Sequence, residues 1–331
     1  MSPQNPPADD SAADTATADT AGPRPEAVTL VLLREWSLPG PGSSKYDRGQ
    51  VVIVGGDRRS PGAALLAAEA ALRVGAGRLT VALAEGVAVA ASVALPESGV
   101  VALAETEVDG LFHIDGTSIE VAAHDLADAD AVLVGPGLDD ADQARRLLDL
   151  LPGLVGEQTV VVLDAYALGV LPQSAVGDAF AGRLVLTPNP NEAGLLLDGL
   201  ADGDGDGEDG DVGDADGGSD SGDADPAALA LEVARGYGAV VSCQGLIAHP
   251  DGRLWQIGTG HGGLGTSGSG DVLAGAITGL CARGATLEQA AVWATHAHAA
   301  AGDRLAVDVG PLGFLARELL QELPRVLVEI G

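Results

Sequence analysis

A three-layer α/β/α fold, with a mainly parallel sheet between two layers of helices, is what this sequence predicts, and three features predict it. Apolar runs of strand length alternate with Ala- and Leu-rich helical stretches, the runs are continuous, and glycine or polar turns follow them. Continuous apolar runs belong to strands covered on both faces. Repetition of strand and helix places helices on both sides of a parallel sheet. The 331 residues, 46% of them hydrophobic, suffice for a sizeable core and read as one domain with two disordered appendages.

In chain order, Met1 to Glu26 holds five acids and one Arg among Ala, Thr and Pro without periodicity, the composition of a disordered acidic tail. The folded domain is expected over 27–331. Its strands are predicted at Val51–Val54, Leu79–Leu83, Ala131–Val134, Val160–Leu163, Leu184–Leu186 and Ala239–Ser242, with helical segments such as Gly62–Val74, Ala141–Leu151 and Ala227–Tyr237 between them. Asp202 to Asp225 carries eleven acids and no Lys or Arg, and reads as a disordered surface insertion. Its Asp-Gly repeats lack the spacing and closing Glu of a calcium-binding EF-hand. Asp271 to Leu323 reads as three helices broken at Gly284 and at Gly310-Pro311.

The formal charge of −31, with Lys45 the only lysine, repels nucleic acid and anionic membrane surfaces, so neither is an expected partner. Cys243 and Cys281 are too few for a disulfide framework and wrongly spaced for a zinc ribbon. No basic segment leading into an apolar run opens the chain, and no long apolar stretch interrupts it, which predicts a cytoplasmic protein.

Ligands of open parallel sheets bind beyond the carboxyl ends of the strands, and the chain's glycines concentrate there. Gly265-Thr266-Ser267-Gly268-Ser269-Gly270-Asp271 leads directly into a helical pattern. Such a turn lets backbone N–H groups converge on an anion at a positive helix terminus. Asp271 adds a base beside it, which suits attack of a hydroxyl on a terminal phosphoryl group. The alternative is a glycine turn with Asp271 as helix cap. Three more turns fall on the same edge: Gly55-Gly56, Gly135-Pro136-Gly137, and Thr187-Pro188-Asn189-Pro190-Asn191-Glu192, where a carboxylate three residues after an amide suits magnesium and water positioning. No Gly-Lys dipeptide exists, which excludes a Walker P-loop, and Gly75-Ala76-Gly77 follows a helix, which excludes a dinucleotide fingerprint. His296 and His298 stand two apart on a helix, on different faces, against a paired metal site.

Taken together, Gly49 to Gly56, Gly62-Ala63-Ala64, Ala70 to Gly77, Gly135-Pro136-Gly137-Leu138 and Gly268 to Gly275 resemble the ribokinase-like superfamily and, within it, the nucleotide-dependent NAD(P)H-hydrate dehydratase family, from about Lys45 to Leu323. The resemblance implies a hydro-lyase that repairs hydrated NADH and NADPH. It uses ADP in most bacterial members and ATP in eukaryotic ones, with Mg2+. Phosphorylation turns the ring hydroxyl into a leaving group that the ring nitrogen can expel. By the same resemblance Asp271 is the catalytic base, substrate contacts fall on Ala63, Gly137, Asn189 and Asp271, and Glu192 handles magnesium through water. Nucleotide contacts fall on Gln244, Gly245, Leu246, Ile247 and Ala248 and on Gly268 and Gly270. The family usually has His at Asn189, Lys at Gln244 and Asp at Tyr166. It also implies a homotetramer and a separate epimerase, because only about 45 residues precede the match. A kinase of a small alcohol or vitamin precursor, and a nucleotide-binding paralogue without turnover, use the same turn.

Overall fold

The computed structural model describes residues 24–202, 225–260 and 262–331. Most of the expected tail and of the Asp/Gly insertion therefore lies outside the described residues. The described strands are β1 Glu26–Val28, β2 Gln50–Val54, β3 Arg78–Ala84, β4 Gly99–Leu103, β5 Glu105–Val108, β6 Leu111–Ile114, β7 Ala131–Val134, β8 Val160–Leu163, β9 Leu184–Leu186, β10 Val240–Cys243, β11 Leu246–Ala248 and β12 Leu254–Ile257. The α-helices are α1 Leu30–Glu35, α2 Pro61–Arg73, α3 Glu85–Ala94, α4 Ala123–Ala127, α5 Ala141–Leu150, α6 Tyr166–Val170, α7 Val176–Ala179, α8 Pro190–Asp202, α9 Pro226–Gly236, α10 Ser269–Ala282, α11 Leu287–Asp308 and α12 Ala316–Ile330.

Ten strands form one sheet in the order β1-β12-β11-β10-β9-β8-β7-β2-β3-β4, parallel except where β11 runs against both neighbours. β5 and β6 make a separate antiparallel hairpin. The burial pattern explains why the apolar runs are continuous. Val51 and Ile53 of β2 face the core under α2, α10, α11 and α12, while Val52 and Val54 face the opposite core under α5, α8 and α9. A strand buried on both faces has no polar side to show.

The expected strands stand where the sequence placed them, within a residue or two, and the three C-terminal helices break as expected at Gly284 and at Gly310-Pro311, although α12 runs on to Ile330, past the expected end at Leu323. The edge strands did not announce themselves. β1 pairs in parallel with β12, Glu26 opposite Trp255, so the expected tail ends too late: Glu26 already belongs to the sheet. At the insertion, Asp202 still closes α8, and Asp225 caps α9 by accepting from Ala227 N–H at 3.1 Å. No helix among the described residues is long and apolar enough to cross a membrane.

Two features of this architecture set the site. From β2 the chain winds outward through β3 and β4, then returns to β7 and winds the other way, so the strand order reverses between β2 and β7. A crevice forms at such a point. The turns beyond it are tied together, with Gly56 N–H donating to Pro136 O and Asp57 N–H to Gly137 O, each at 2.8 Å. The second feature is how closely α10 lies on α2. A methyl group at Gly275 would sit 2.0 Å from Ala67 O, and one at Gly279 2.6 Å from Ala71 O. This contact carries the first turn of α10 to the level of the crevice.

Candidate active site

α10 begins at Gly268, whose φ of +88° is a left-handed conformation costly for any residue with a Cβ. Gly268 supplies no side-chain cap. Ser269 N–H is spent internally on Thr266 O at 3.1 Å, which leaves the N–H groups of Gly268, Gly270 and Asp271 without an acceptor among the described residues. The turn is held from behind by His298 of α11, whose Nε2 lies 2.9 Å from Ser269 Oγ and 3.0 Å from Ser269 O. Burial drives His298 down to about 4, so the imidazole that holds the turn is neutral. His296 is also buried, with Nδ1 unpartnered among the described residues.

Asp271 is not a cap. It is the third residue of α10, and its carboxylate accepts no hydrogen bond from a described residue. Burial, reinforced by the charge of Asp164, pushes its carboxyl up to about 7. Asp164 directly follows β8, buried; burial raises it to about 6, against hydrogen bonds from Thr187 Oγ1 at 2.7 Å and from Ala165 N–H. Ala165 has φ +48°, a strained conformation at the strand's carboxyl end. Sequence reasoning passed over Asp164 as a participant. Only the order Leu163-Asp164, an acid directly after a buried strand, could have flagged it.

The Asn189 turn is built differently. Asn189 Oδ1 accepts from Asn191 N–H at 2.9 Å and Glu192 N–H at 3.0 Å, while Glu192 Oε2 accepts from Asn189 N–H at 2.8 Å. This is a reciprocal capping box at the start of α8. Burial, with Asp164 adding, still pushes Glu192 up to about 7, and its other oxygen has no partner among the described residues.

At the crevice, Ala63 in the first turn of α2 lies beside Gly137: a methyl there would meet its Cβ at 3.2 Å. Asp57, one residue past Gly56, receives Ile114 N–H at 2.5 Å and Asp139 N–H at 3.1 Å, and His113 Nδ1 lies 2.5 Å from Asp139 Oδ1. Burial, then the charge of Asp139, raises the Asp57 carboxyl. Neither acid was singled out from sequence, because a hairpin more than fifty positions from Asp57 brings the group together.

Of the expected nucleotide run, Gln244 and Gly245 form the open turn after β10, with φ +47° and +80°. Leu246, Ile247 and Ala248 are buried within β11, hydrogen-bonded on both sides. Those three shape the sheet behind the turn, and Gln244 and Gly245 are the part of the run at the edge. Cys243 and Cys281 are free and buried.

Open amides at a helix start and a carboxylate beside them, set on a mainly parallel sheet between helix layers, belong to a protein of the ribokinase-like α/β class. The chain belongs to the NAD(P)H-hydrate dehydratase family, whose sequence profile matches residues 51–325. It is 39% identical over 314 residues to the ADP-dependent (S)-NAD(P)H-hydrate dehydratase of Xanthomonas campestris, covering 92% of this chain and 97% of that one. It is also similar to an ADP/ATP-dependent NAD(P)H-hydrate dehydratase of Bacillus subtilis co-crystallised with ATP/Mg2+ and soaked with CoA, with 26% identity, TM-score 0.65, and 92% and 99% of the two chains covered. A ribokinase-like superfamily protein of Enterococcus faecalis shares the fold at TM-score 0.72 and 23% identity, over 92% and 96% of the chains.

Proposed function

We propose that this chain restores NADH and NADPH from their hydrates at the expense of ADP. The observation that carries this reading is Asp271, an uncapped acid raised to about 7 beside the unspent amides of Gly268 and Gly270. Membership of the family and the named activity of the Xanthomonas relative support the substrate.

In this reading Asp271 takes the proton of the ring hydroxyl, whose oxygen attacks the terminal phosphorus of ADP while the bond to AMP breaks. The N–H groups of Gly268, Gly270 and Asp271 receive the charge of the transferring group. The ring nitrogen lone pair then expels phosphate, loss of a proton from the neighbouring carbon restores the double bond, and AMP and phosphate leave. Ala63 and Gly137 would line the nicotinamide side and the Gln244-Gly245 turn the nucleotide side. Asn189, spent on capping, reaches substrate only through its remaining amide group.

Magnesium fits the donor set. Glu192 keeps one carboxylate oxygen unpartnered among the described residues, and Asp164 adds negative charge nearby, the hard oxygen environment this ion selects. Bound there through water, the ion would neutralise phosphate charge. The stereodescriptor in the Xanthomonas relative's name points to one epimer. The other epimer would need an epimerase on a separate chain. The reading also places the enzyme in the cytoplasm, with assembly into a tetramer as a further part of it.

The deciding experiment is incubation with hydrated NADH, Mg2+ and either nucleotide, following the absorbance of restored NADH. ADP should support restoration with stoichiometric AMP and phosphate. Absence of restoration, together with a stable phosphate ester formed from a small alcohol, would replace this reading with a kinase of the same fold.

A further inference from the structure

We propose that Asp57, His113 and Asp139 form a binding site for one divalent cation of the zinc or manganese class, apart from the Asp164, Glu192 and Asp271 carboxylates. Three elements distant in sequence deliver the group: the turn after β2, strand β6 of the hairpin, and the turn after β7. One donor atom from each lies within 4.8 Å of the others. Asp57 is 2% exposed, His113 5%, and the Asp139 side chain 18%.

Charge is the first argument. A buried carboxylate beside a half-buried one is relieved by a shared proton or by a cation, and the one basic side chain paired with them among the described residues is His113, itself a metal-ligand type. The adjacent Arg58 is committed elsewhere: its guanidinium holds both oxygens of Glu105 at 2.8 Å and sits 4.2 Å over the Phe112 ring. No Lys or Arg among the described residues hydrogen-bonds to the trio.

The second argument is an unused donor. Asp139 Oδ2 is buried and receives no hydrogen bond from a described residue, although Oδ1 of the same carboxylate is engaged by His113 at 2.5 Å. Asp57 is held in place by the N–H groups of Ile114 and Asp139, as outer partners orient metal ligands. One imidazole nitrogen with carboxylate oxygens is a mixed donor set that suits zinc or manganese and disfavours magnesium, which prefers oxygen and keeps its water. Bonds of about 2.0–2.2 Å to such an ion would draw the more distant donors inward and part the 2.5 Å contact between His113 and Asp139, with Asp139 Oδ2 free to turn to the ion.

The test is equilibrium dialysis of the full chain against ZnCl2 and, separately, MnCl2, with no nucleotide or substrate present, so its outcome does not depend on the proposed reaction. Wild type should hold one ion per chain, retained in excess MgCl2, and zinc should raise its melting temperature. Asp139→Asn and His113→Gln should each weaken that binding at least tenfold, whereas Asp271→Asn should keep it. Weak cation binding to the acidic surface is common to all four proteins and cancels in the comparison. Folding is checked by circular dichroism, and if one variant unfolds the other decides. Equal binding by wild type and Asp139→Asn, loss of binding in Asp271→Asn, or no stoichiometric binding by wild type overturns the proposal.

Discussion

Two helices begin at the same edge of the sheet, and they begin in opposite ways. α8 starts with Asn189 and Glu192 closing a capping box, so its first amides are bonded to its own side chains. α10 starts with Gly268, has no side-chain cap, and leaves amides unspent beside a carboxylate that caps nothing. Capping stabilises a helix by about 1 kcal/mol, so α10 forgoes what α8 keeps. Other helices, α2 and α3 among them, also lack a side-chain cap; what sets α10 apart is the half-buried carboxylate of Asp271, unbonded among the described residues, beside its open amides, where in the proposed reaction the terminal phosphate completes the structure.

The sharpest way to break this contrast is Asp271→Asn. If Asp271 is the base, turnover should fall about 10²- to 10⁴-fold while nucleotide binding survives. In the parent, kcat should rise with pH through about 7 and level off above it. The stability sign is opposite to that of a cap. The folded carboxyl lies at about 7, above the ordinary 3.8, so the folded form holds the proton more tightly and loses stability as pH rises between those values. At pH 8 the Asn variant should melt higher, by about 1–2 kcal/mol after allowance for partial exposure. Thermal melts at pH 5 and 8 measure this, and a lower melting temperature at pH 8 would make Asp271 structural.

Gly268→Ala tests the open turn itself. Its methyl would lie 2.6 Å from Leu66 Cδ1 on a backbone with φ +88°. The expected cost is about 1–2 kcal/mol of stability and weaker nucleotide binding, with KM for ADP rising more than kcat falls. Unchanged KM would show that the phosphates are held elsewhere.

Glu192→Gln probes the capped helix. Gln at this position preserves the capping box, so the melting temperature should hold, while the magnesium concentration for half-maximal turnover should rise several-fold. A magnesium requirement unchanged from the parent would confine Glu192 to capping.

The smallest effect is expected from replacing 203–224 with a flexible Gly-Ser linker of about half that length. Joining two helices by a shorter flexible connection changes closure entropy by about 0.6 kcal/mol per halving of length. Activity should stay within about twofold, and a folded but inactive protein would place that segment over the site.

The central strands and the anion turn were legible because their causes are local. Val51 to Val54 are apolar without interruption since both faces are covered, and Gly268 to Asp271 carry their conformational demands in their own residue types. What escaped depends on distant partners. β1 is three residues whose strand character exists only against β12. Asp57 and Asp139 look like ordinary turn acids until His113 arrives from the hairpin. Asn189 and Glu192 suggested metal chemistry by spacing, and that same spacing is what a capping box uses.

The contact between α2 and α10 has a mechanical consequence. At Gly275 and Gly279 the α10 backbone rests directly on the carbonyls of Ala67 and Ala71, with no side chain between them. Side chains yield by changing rotamer, but backbone against backbone is a hard stop, so α2 gauges the position of α10. Asp271 lies one helical turn from Gly275 and rides on that gauge. In the proposed reaction, the position of the Asp271 carboxylate is therefore set further along the same face of the helix, by two missing methyl groups.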